Sequence, residues 1–259
     1  MTELLLAAAL GLLIGSFLNV CILRLPHDYS VVTPRSHCYS CGSFLAWYEN
    51  IPVLSWIALG GRCRHCRAAI SPRYPLIELF TALCFFWAVR QAGWTWSGFR
   101  LCAFAALMIG LIATDLDCHI LPDEFTLGGL PLGLTLAAIE PLHTPLLSLI
   151  QPEMNPRLAS FLESAAAALL ASGGLWLLGF LYRQVRGREG LGLGDVKMIA
   201  MIAAFLGFVP SLEVVMLGSV AGSIIGLVWI KLRHGDLASE PLPFGAFLGA
   251  AALLISLLG

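Results

Sequence analysis

Charge is what this chain has least of. Only 12% of its 259 residues are charged, while 58% are hydrophobic. An ordinary soluble domain carries about 25% charged residues. A mean hydropathy of +0.85 implies more apolar surface than a soluble fold of this length can hide, because much of any folded surface must meet water. The scarcity excludes a soluble enzyme, a disordered chain and a DNA-binding module. Segments of about ten residues with alternating hydropathy, the mark of a transmembrane β-barrel, are missing. Internal repeats and low-complexity tracts are missing as well. The opening Met1-Thr2-Glu3 lacks the basic n-region of a cleavable signal peptide, so the first apolar run reads as a membrane helix. The net charge of −1 says nothing about partners, because the position of the charges outweighs their sum.

What is present reads as an all-α polytopic membrane protein. Crossing the hydrocarbon core takes about 20 apolar residues. The apolar runs are Leu4–Leu23, Tyr74–Val89, Leu101–Thr114, Phe125–Ile139, Ser164–Tyr182, Met198–Leu212, Val214–Ile230 and Pro241–Gly259. They predict about eight transmembrane helices. Small residues are frequent inside them, as close helix packing in lipid requires.

Basic residues set the orientation. With loops assigned alternately, one side holds Arg24, Arg35, Arg62, Arg64, Arg67, Arg73, Arg183, Arg186, Arg188, Lys197, Lys231 and Arg233, and the other Arg90, Arg100 and Arg157. Twelve against three puts the first side in the cytoplasm and both termini outside. The expected organisation is a first helix over 1–23, a cytoplasmic segment over 24–73 and a seven-helix membrane domain over 74–259. The Pro-rich loop from Glu140 to Arg157 reads as an extracytoplasmic connector.

The cytoplasmic segment carries Cys38-Tyr39-Ser40-Cys41 and Cys63-Arg64-His65-Cys66. Two C-x-x-C units at this spacing can wrap one Zn²⁺ tetrahedrally. Disulfides are not expected in a reducing compartment. Four cysteines leave no open position, so the site is read as structural, and metal binding would supply folding energy that about fifty residues otherwise lack. His37 and His65 read as solvated loop residues, with service as substitute ligands the alternative. Cys21, Cys84, Cys102 and Cys118 read as packing residues. The arginines are explained by topology, so nucleic acid is not an expected partner.

The scarce acids stand out where spans run short. Fourteen residues free of charge separate Arg100 from Asp115, roughly 21 Å of helix against a core of about 30 Å. Asp195 opens the sixth span in the same way. Both aspartates fall at cytoplasmic helix ends and could face each other. Ionisable groups there are functional hypotheses by default. Helix capping is the alternative for Asp195 and for Asp123, but it explains Asp115 poorly, since an acid at a helix C-terminus opposes the macrodipole. Gly190, Gly192 and Gly194 precede Asp195 and allow close backbone approach. Glu78 lies just inside the second span and needs a partner, with Arg73 the nearest candidate.

Gly192-Leu193-Gly194-Asp195 resembles the GxGD motif of membrane-embedded aspartyl proteases. The full chain resembles the type IV prepilin peptidases. The matching residues are Gly15-Ser16-Phe17-Leu18-Asn19-Val20, Arg24-Leu25-Pro26, Trp47-Tyr48-Glu49-Asn50-Ile51-Pro52, Arg73-Tyr74-Pro75 with Glu78, Asp115-Leu116-Asp117, Ile120-Leu121-Pro122-Asp123, Gly194-Asp195-Val196-Lys197 and Pro243-Phe244-Gly245. The resemblance implies a bacterial inner-membrane enzyme. It would cut the basic leader of prepilins or pseudopilins after a glycine at the cytoplasmic face, then methylate the new N-terminal amine with S-adenosylmethionine. Carried onto this chain, it implies Asp115 and Asp195 as the catalytic pair, with Asp117 the main rival and Gly192, Gly194 and Lys197 in support. It associates Asn50, Arg73 and Glu78 with the methyltransferase. The chain lacks a G-x-G-x-x-G after a strand, so the methyl-donor site is of another kind. An ion- or proton-coupled transporter, a GxGD protease with other substrates, and a non-catalytic assembly protein are the rival readings.

Overall fold

The structure is a computed structural model that describes residues 1–141, 154–188, 190–233 and 242–258. Most of the Pro-rich stretch and residues 234–241 of the loop before the last helix lie outside them. The described residues form nine α-helices: α1 (Thr2–Arg24), α2 (Leu54–Ala58), α3 (Arg73–Ala92), α4 (Trp96–Cys118), α5 (Asp123–Ile139), α6 (Pro156–Arg186), α7 (Leu193–Leu206), α8 (Phe208–Arg233) and α9 (Phe244–Leu258). Short 3₁₀ turns occupy Leu25–His27 and Trp47–Asn50. The eight apolar runs fall on eight helices, one of the runs continuing past the end of its helix into the next. Five stretches are long and apolar enough to cross a membrane: Thr2–His27, Arg73–Ala92, Trp96–Cys118, Pro156–Arg186 and Phe208–Gly226.

Two boundaries differ from the apolar runs. Helix α4 has 23 residues, roughly 34 Å, because it takes in Arg100 at one end and Asp115 and Asp117 at the other. The run Met198–Leu212 is broken: α7 stops at Leu206, Gly207 turns the chain with φ +89°, and Phe208 starts α8. Hydropathy misses this break because both sides are equally apolar.

The chain divides into two units, Met1–Gly110 and Leu111–Gly259. In the first, α1 packs along α3. A Cβ on Gly11 would stand 2.6 Å from the Ala82 Cα, and one on Gly15 would stand 2.7 Å from the Glu78 Cα. Two glycines four apart thus let the helix backbones touch, the small-residue packing that lipid favours. Beyond them Ala7, Phe85, Ala88, Val89 and Cys102 form a buried cluster. The Asn19 amide donates to the carbonyls of Gly15 at 3.2 Å and Tyr74 at 3.1 Å, closing the other end. Cys21, Cys84 and Cys102 are buried as packing residues, and Cys118 is half-buried.

In the second unit α7 is the centre, packed against α5, α6, α8 and α9. With 14 residues it is too short to span a bilayer unaided, and the protein shelters it. Met198, Ile199, Met201, Ile202, Ala203, Ala204 and Phe205 are all at most 1% exposed. Gly133 of α5 makes room for the Phe205 ring, which a Cβ would meet at 2.7 Å. The Ser164 hydroxyl of α6 donates to the Ala204 carbonyl at 2.6 Å. The outward faces of α6 and α8 carry exposed Leu169, Leu178, Met216, Val220 and Ile224. Such continuous apolar exposure calls for an apolar surrounding, so this is a multi-pass membrane protein.

Gly11→Val should force α1 off α3 and cost about 1–3 kcal/mol, the usual price of overpacking. Gly128 has open space where a Cβ would go, so Gly128→Ala should cause no loss. Thermal unfolding in detergent distinguishes the two; equal midpoints would refute the backbone contact.

Candidate active site and metal centre

The sulfurs of Cys38, Cys41, Cys63 and Cys66 lie within 4.8 Å of one another. Cys38 Sγ and Cys66 Sγ are 3.8 Å apart, matching the edge of about 3.8 Å that a tetrahedron with 2.3 Å Zn–S bonds requires. Two knuckles of the same design build the cluster. In the first, Cys38 N–H donates to Ser43 O at 2.9 Å and Gly42 N–H to Cys38 O at 2.8 Å; in the second, Cys63 N–H donates to Ala68 O at 2.9 Å and Arg67 N–H to Cys63 O at 3.0 Å. Gly42 and Arg67 hold the same place after each second cysteine, and both have positive φ. Antiparallel bridges His37–Phe44 and Arg62–Ala69 flank the knuckles.

Two of the four thiols are shifted toward the metal-binding form, while for Cys66 the lowering by the Ala68 backbone is outweighed by desolvation and the neighbouring cysteine thiols together, which push it up to about 11. The Ser43 hydroxyl and backbone N–H pull the Cys41 thiol down to about 6. The N–H groups of Cys66 and His65 hold the Cys63 thiol below its ordinary range. Both favour the thiolate, which is the metal-binding form. The cluster consists of the four cysteines among the described residues, and the donor set fits a metal ion. His37 is engaged elsewhere, its Nδ1 lying 3.0 Å from the Arg35 carbonyl.

The second unit brings Asp115 and Asp195 together. Asp115 sits in the last turn of α4, 5% exposed. Its Oδ2 accepts the Ala246 N–H at 2.7 Å, and the Gly245 N–H also donates to it. Those donors are the unpaired amides at the start of α9. An acid that opposes the dipole of its own helix therefore meets the favourable end of another. Asp195, three residues into α7, accepts from the N–H of its N-cap, Gly192. The two carboxyls interact electrostatically. Each glycine beside them leaves room for a neighbour. A Cβ on Gly192 would stand 3.3 Å from Asp195 Oδ2, and one on Gly245 would stand 3.2 Å from Asp115 Oδ2. Leu121 lies between Gly194 and Gly245, at 3.2 Å and 2.9 Å from their would-be Cβ positions. Asp117 is exposed.

Asp123 corrects the capping expectation. The N-cap of α5 is Pro122, with no side-chain cap bond. Asp123 is the first helical residue, and both its oxygens take the Lys197 ammonium, at 2.7 and 3.0 Å. The pair is well exposed, so it orients the starts of α5 and α7 more than it stabilises them. The motif residues Pro243-Phe244-Gly245 carried a signal for the α9 amides. Leu121 stood in the motif Ile120-Leu121-Pro122-Asp123 with no polar group to mark it, and His119, whose Nδ1 lies 3.0 Å from the Asp115 carbonyl, was not singled out.

The first unit holds a cavity of about 510 Å³ beside the cysteine cluster. Asn50 and Glu78 line it, with Asn19, Glu49, Trp56 and Tyr74; Arg73 does not. Glu78, for which the sequence offered Arg73 as the nearest candidate, meets a backbone group: Glu78 Oε2 accepts the Val53 N–H at 2.7 Å, and the Ser16 hydroxyl also donates to it.

Comparison with known proteins gives the family. Residues 9–92 match the Bacterial Peptidase A24 N-terminal domain, and residues 102–227 match the Type IV leader peptidase family. A prepilin leader peptidase/N-methyltransferase of Myxococcus xanthus is 41% identical over 221 residues, covering 85% of this chain and 61% of the relative. Proteins of the same name from Xanthomonas campestris pv. campestris and Pseudomonas aeruginosa are each 33% identical, covering 96% of this chain and 89% and 88% of theirs. No solved structure matches significantly. The chain belongs to the type IV leader peptidase family.

Proposed function

We propose that Asp115 and Asp195 are the carboxyl pair with which this prepilin peptidase and N-methyltransferase cuts its substrates. The observation that carries the reading is the placement of two carboxyls in electrostatic contact, each on the amides that open a helix. Two such groups cannot easily both ionise, so one keeps a proton. The ionised carboxylate takes a proton from water as the water oxygen bonds to the scissile carbonyl carbon. The protonated carboxyl donates to the carbonyl oxygen. Collapse of the tetrahedral adduct breaks the C–N bond, and the departing amine takes the proton. The glycines around the pair leave space for an extended substrate strand.

The twelve-to-three bias of basic residues supports a cytoplasmic site and extracytoplasmic termini. Eight helices at the eight apolar runs support eight crossings, five of them long and α5, α7 and α9 shorter and packed among the others. A basic leader in the cytoplasm followed by an apolar helix in the bilayer, as in prepilins and pseudopilins, meets such a site at its cut point. The cysteine cluster reads as a structural Zn²⁺ site over a segment too small to hold itself together.

The methyl-transfer site is read as the cavity of the first unit. Its volume suits a ligand of drug size, and it offers both aromatic and polar lining for an adenosyl and an amino-acid moiety. Bound S-adenosylmethionine supplies an electrophilic methyl group. Asn50 and Tyr74 would orient polar groups there, while Trp56, held by its Nε1–H on the Ile70 carbonyl at 3.1 Å, gives an apolar wall. Arg73 neighbours the lining residue Tyr74 in sequence and does not itself line the cavity. The transporter alternative has no observation in its favour.

Asp115→Asn and Asp195→Asn should each lower leader cleavage of a prepilin peptide at least about 100-fold, the scale of a lost general acid or base, and Asp117→Asn should leave it within about threefold. A fully active Asp115 or Asp195 variant removes that residue from the mechanism. Cys63→Ser should drop the metal content below one equivalent and expose residues 24–73 to protease, with cleavage retained. Metal still at one equivalent would show that the ligand set is wrong.

A further inference from the structure

Val53 is a β-branched residue where such residues rarely go, at φ +61° and ψ −50°. The Leu54 N–H donates to the Pro52 carbonyl at 2.6 Å, which makes Pro52-Val53-Leu54 a γ-turn of the rare, strained hand. Such a turn persists only where its surroundings over-determine it. Here they do. The Val53 N–H is taken at 2.7 Å by Glu78, which is buried and receives the Ser16 hydroxyl as well. Gly15 lets α1 close on the Glu78 backbone, so the side chain starts from a fixed point. A carboxylate this far from water needs donors, and it finds one in the strained turn.

The turn does not itself line the cavity but joins residues that do. Asn50 lines the cavity just before it and Ser55 and Trp56 just after it, and Glu78 and Ser16 line it as well. Relaxing Val53 to an extended conformation would re-aim Asn50 and Trp56 together. We propose that Glu78 is a positioning residue for methyl transfer: through the Val53 N–H it holds the γ-turn that aims Asn50 and Trp56 into the cavity. Its charge is spent on the backbone, and a neutral acceptor of the same shape can replace it. The inference rests on the reading of this cavity as the methyl-donor site.

The test uses full-length protein in detergent, titrated calorimetrically with S-adenosylmethionine, with hydrogen exchange of residues 51–57 followed in parallel. One equivalent of bound metal reports that each variant keeps the segment of the cysteine cluster folded, and leader cleavage reports that the second unit is intact. Glu78→Gln keeps an acceptor oxygen and should bind within about threefold of the parent, with residues 51–57 still protected. Glu78→Leu should raise the dissociation constant about tenfold or more, the scale of a lost hydrogen bond to a charged group, and speed exchange there. Adding Val53→Gly to Glu78→Leu should recover most of the affinity, because glycine adopts positive φ without strain. The proposal is overturned if Glu78→Gln is as impaired as Glu78→Leu, or if Glu78→Leu binds like the parent. Failure of Val53→Gly to restore binding overturns it too, since Glu78 would then act on the ligand directly. Ser55→Trp, which fills the cavity, tests the site by itself: unchanged binding there would refute the cavity reading and the inference with it.

Discussion

A buried carboxylate must be met by donors, and both sites of this protein depend on that constraint. Asp115 Oδ2 accepts the Ala246 N–H at 2.7 Å, joining residues 131 positions apart in sequence. Glu78 Oε2 accepts the Val53 N–H at the same distance. In each case the donor is a backbone amide with no helical partner, so one bond satisfies two groups that would each be costly alone. It also fixes geometry: the end of α4 to the start of α9 in one unit, and the Pro52-Val53-Leu54 turn to α3 in the other.

A second constraint is length. Helices α5, α7 and α9 have 17, 14 and 15 residues, fewer than the roughly 20 that span a hydrocarbon core. Their ends carry chemistry: Asp123 opens α5, Asp195 opens α7, and the amides that bind Asp115 open α9. Residues Met198 to Phe205 of α7 are almost wholly covered by neighbouring helices, while its first turn, with Asp195 and Lys197, is only part-buried. The glycines at 192, 194 and 245 keep space open there, and Leu121 fills the gap between two of them. The cysteine segment meets the opposite difficulty. It has few buried apolar residues of its own, and its order comes from two knuckles and four sulfurs within 4.8 Å.

Much of this was legible in the chain. The apolar runs mark eight helices because lipid demands continuous apolar length. The doubled C-x-x-C marks the cluster because thiolate ligands need that short spacing. Asp115 and Asp195 are conspicuous because charge is scarce near spans. The capping role of Asp123 was misplaced, since a helix start does not reveal which lysine from α7 will arrive beside it. The break at Gly207 was hidden by equal hydropathy on either side, and Val53 gives no sign in sequence of a γ-turn.

The sequence by itself determined the class of molecule, its family and the residues rich enough in chemistry to matter, because composition, period and spacing are local properties. Only the tertiary structure decided the partners: Ala246 for Asp115, Lys197 for Asp123, Val53 for Glu78. Hydrogen-bond partners far apart in the chain are chosen by how helices pack, and local patterns do not encode that choice.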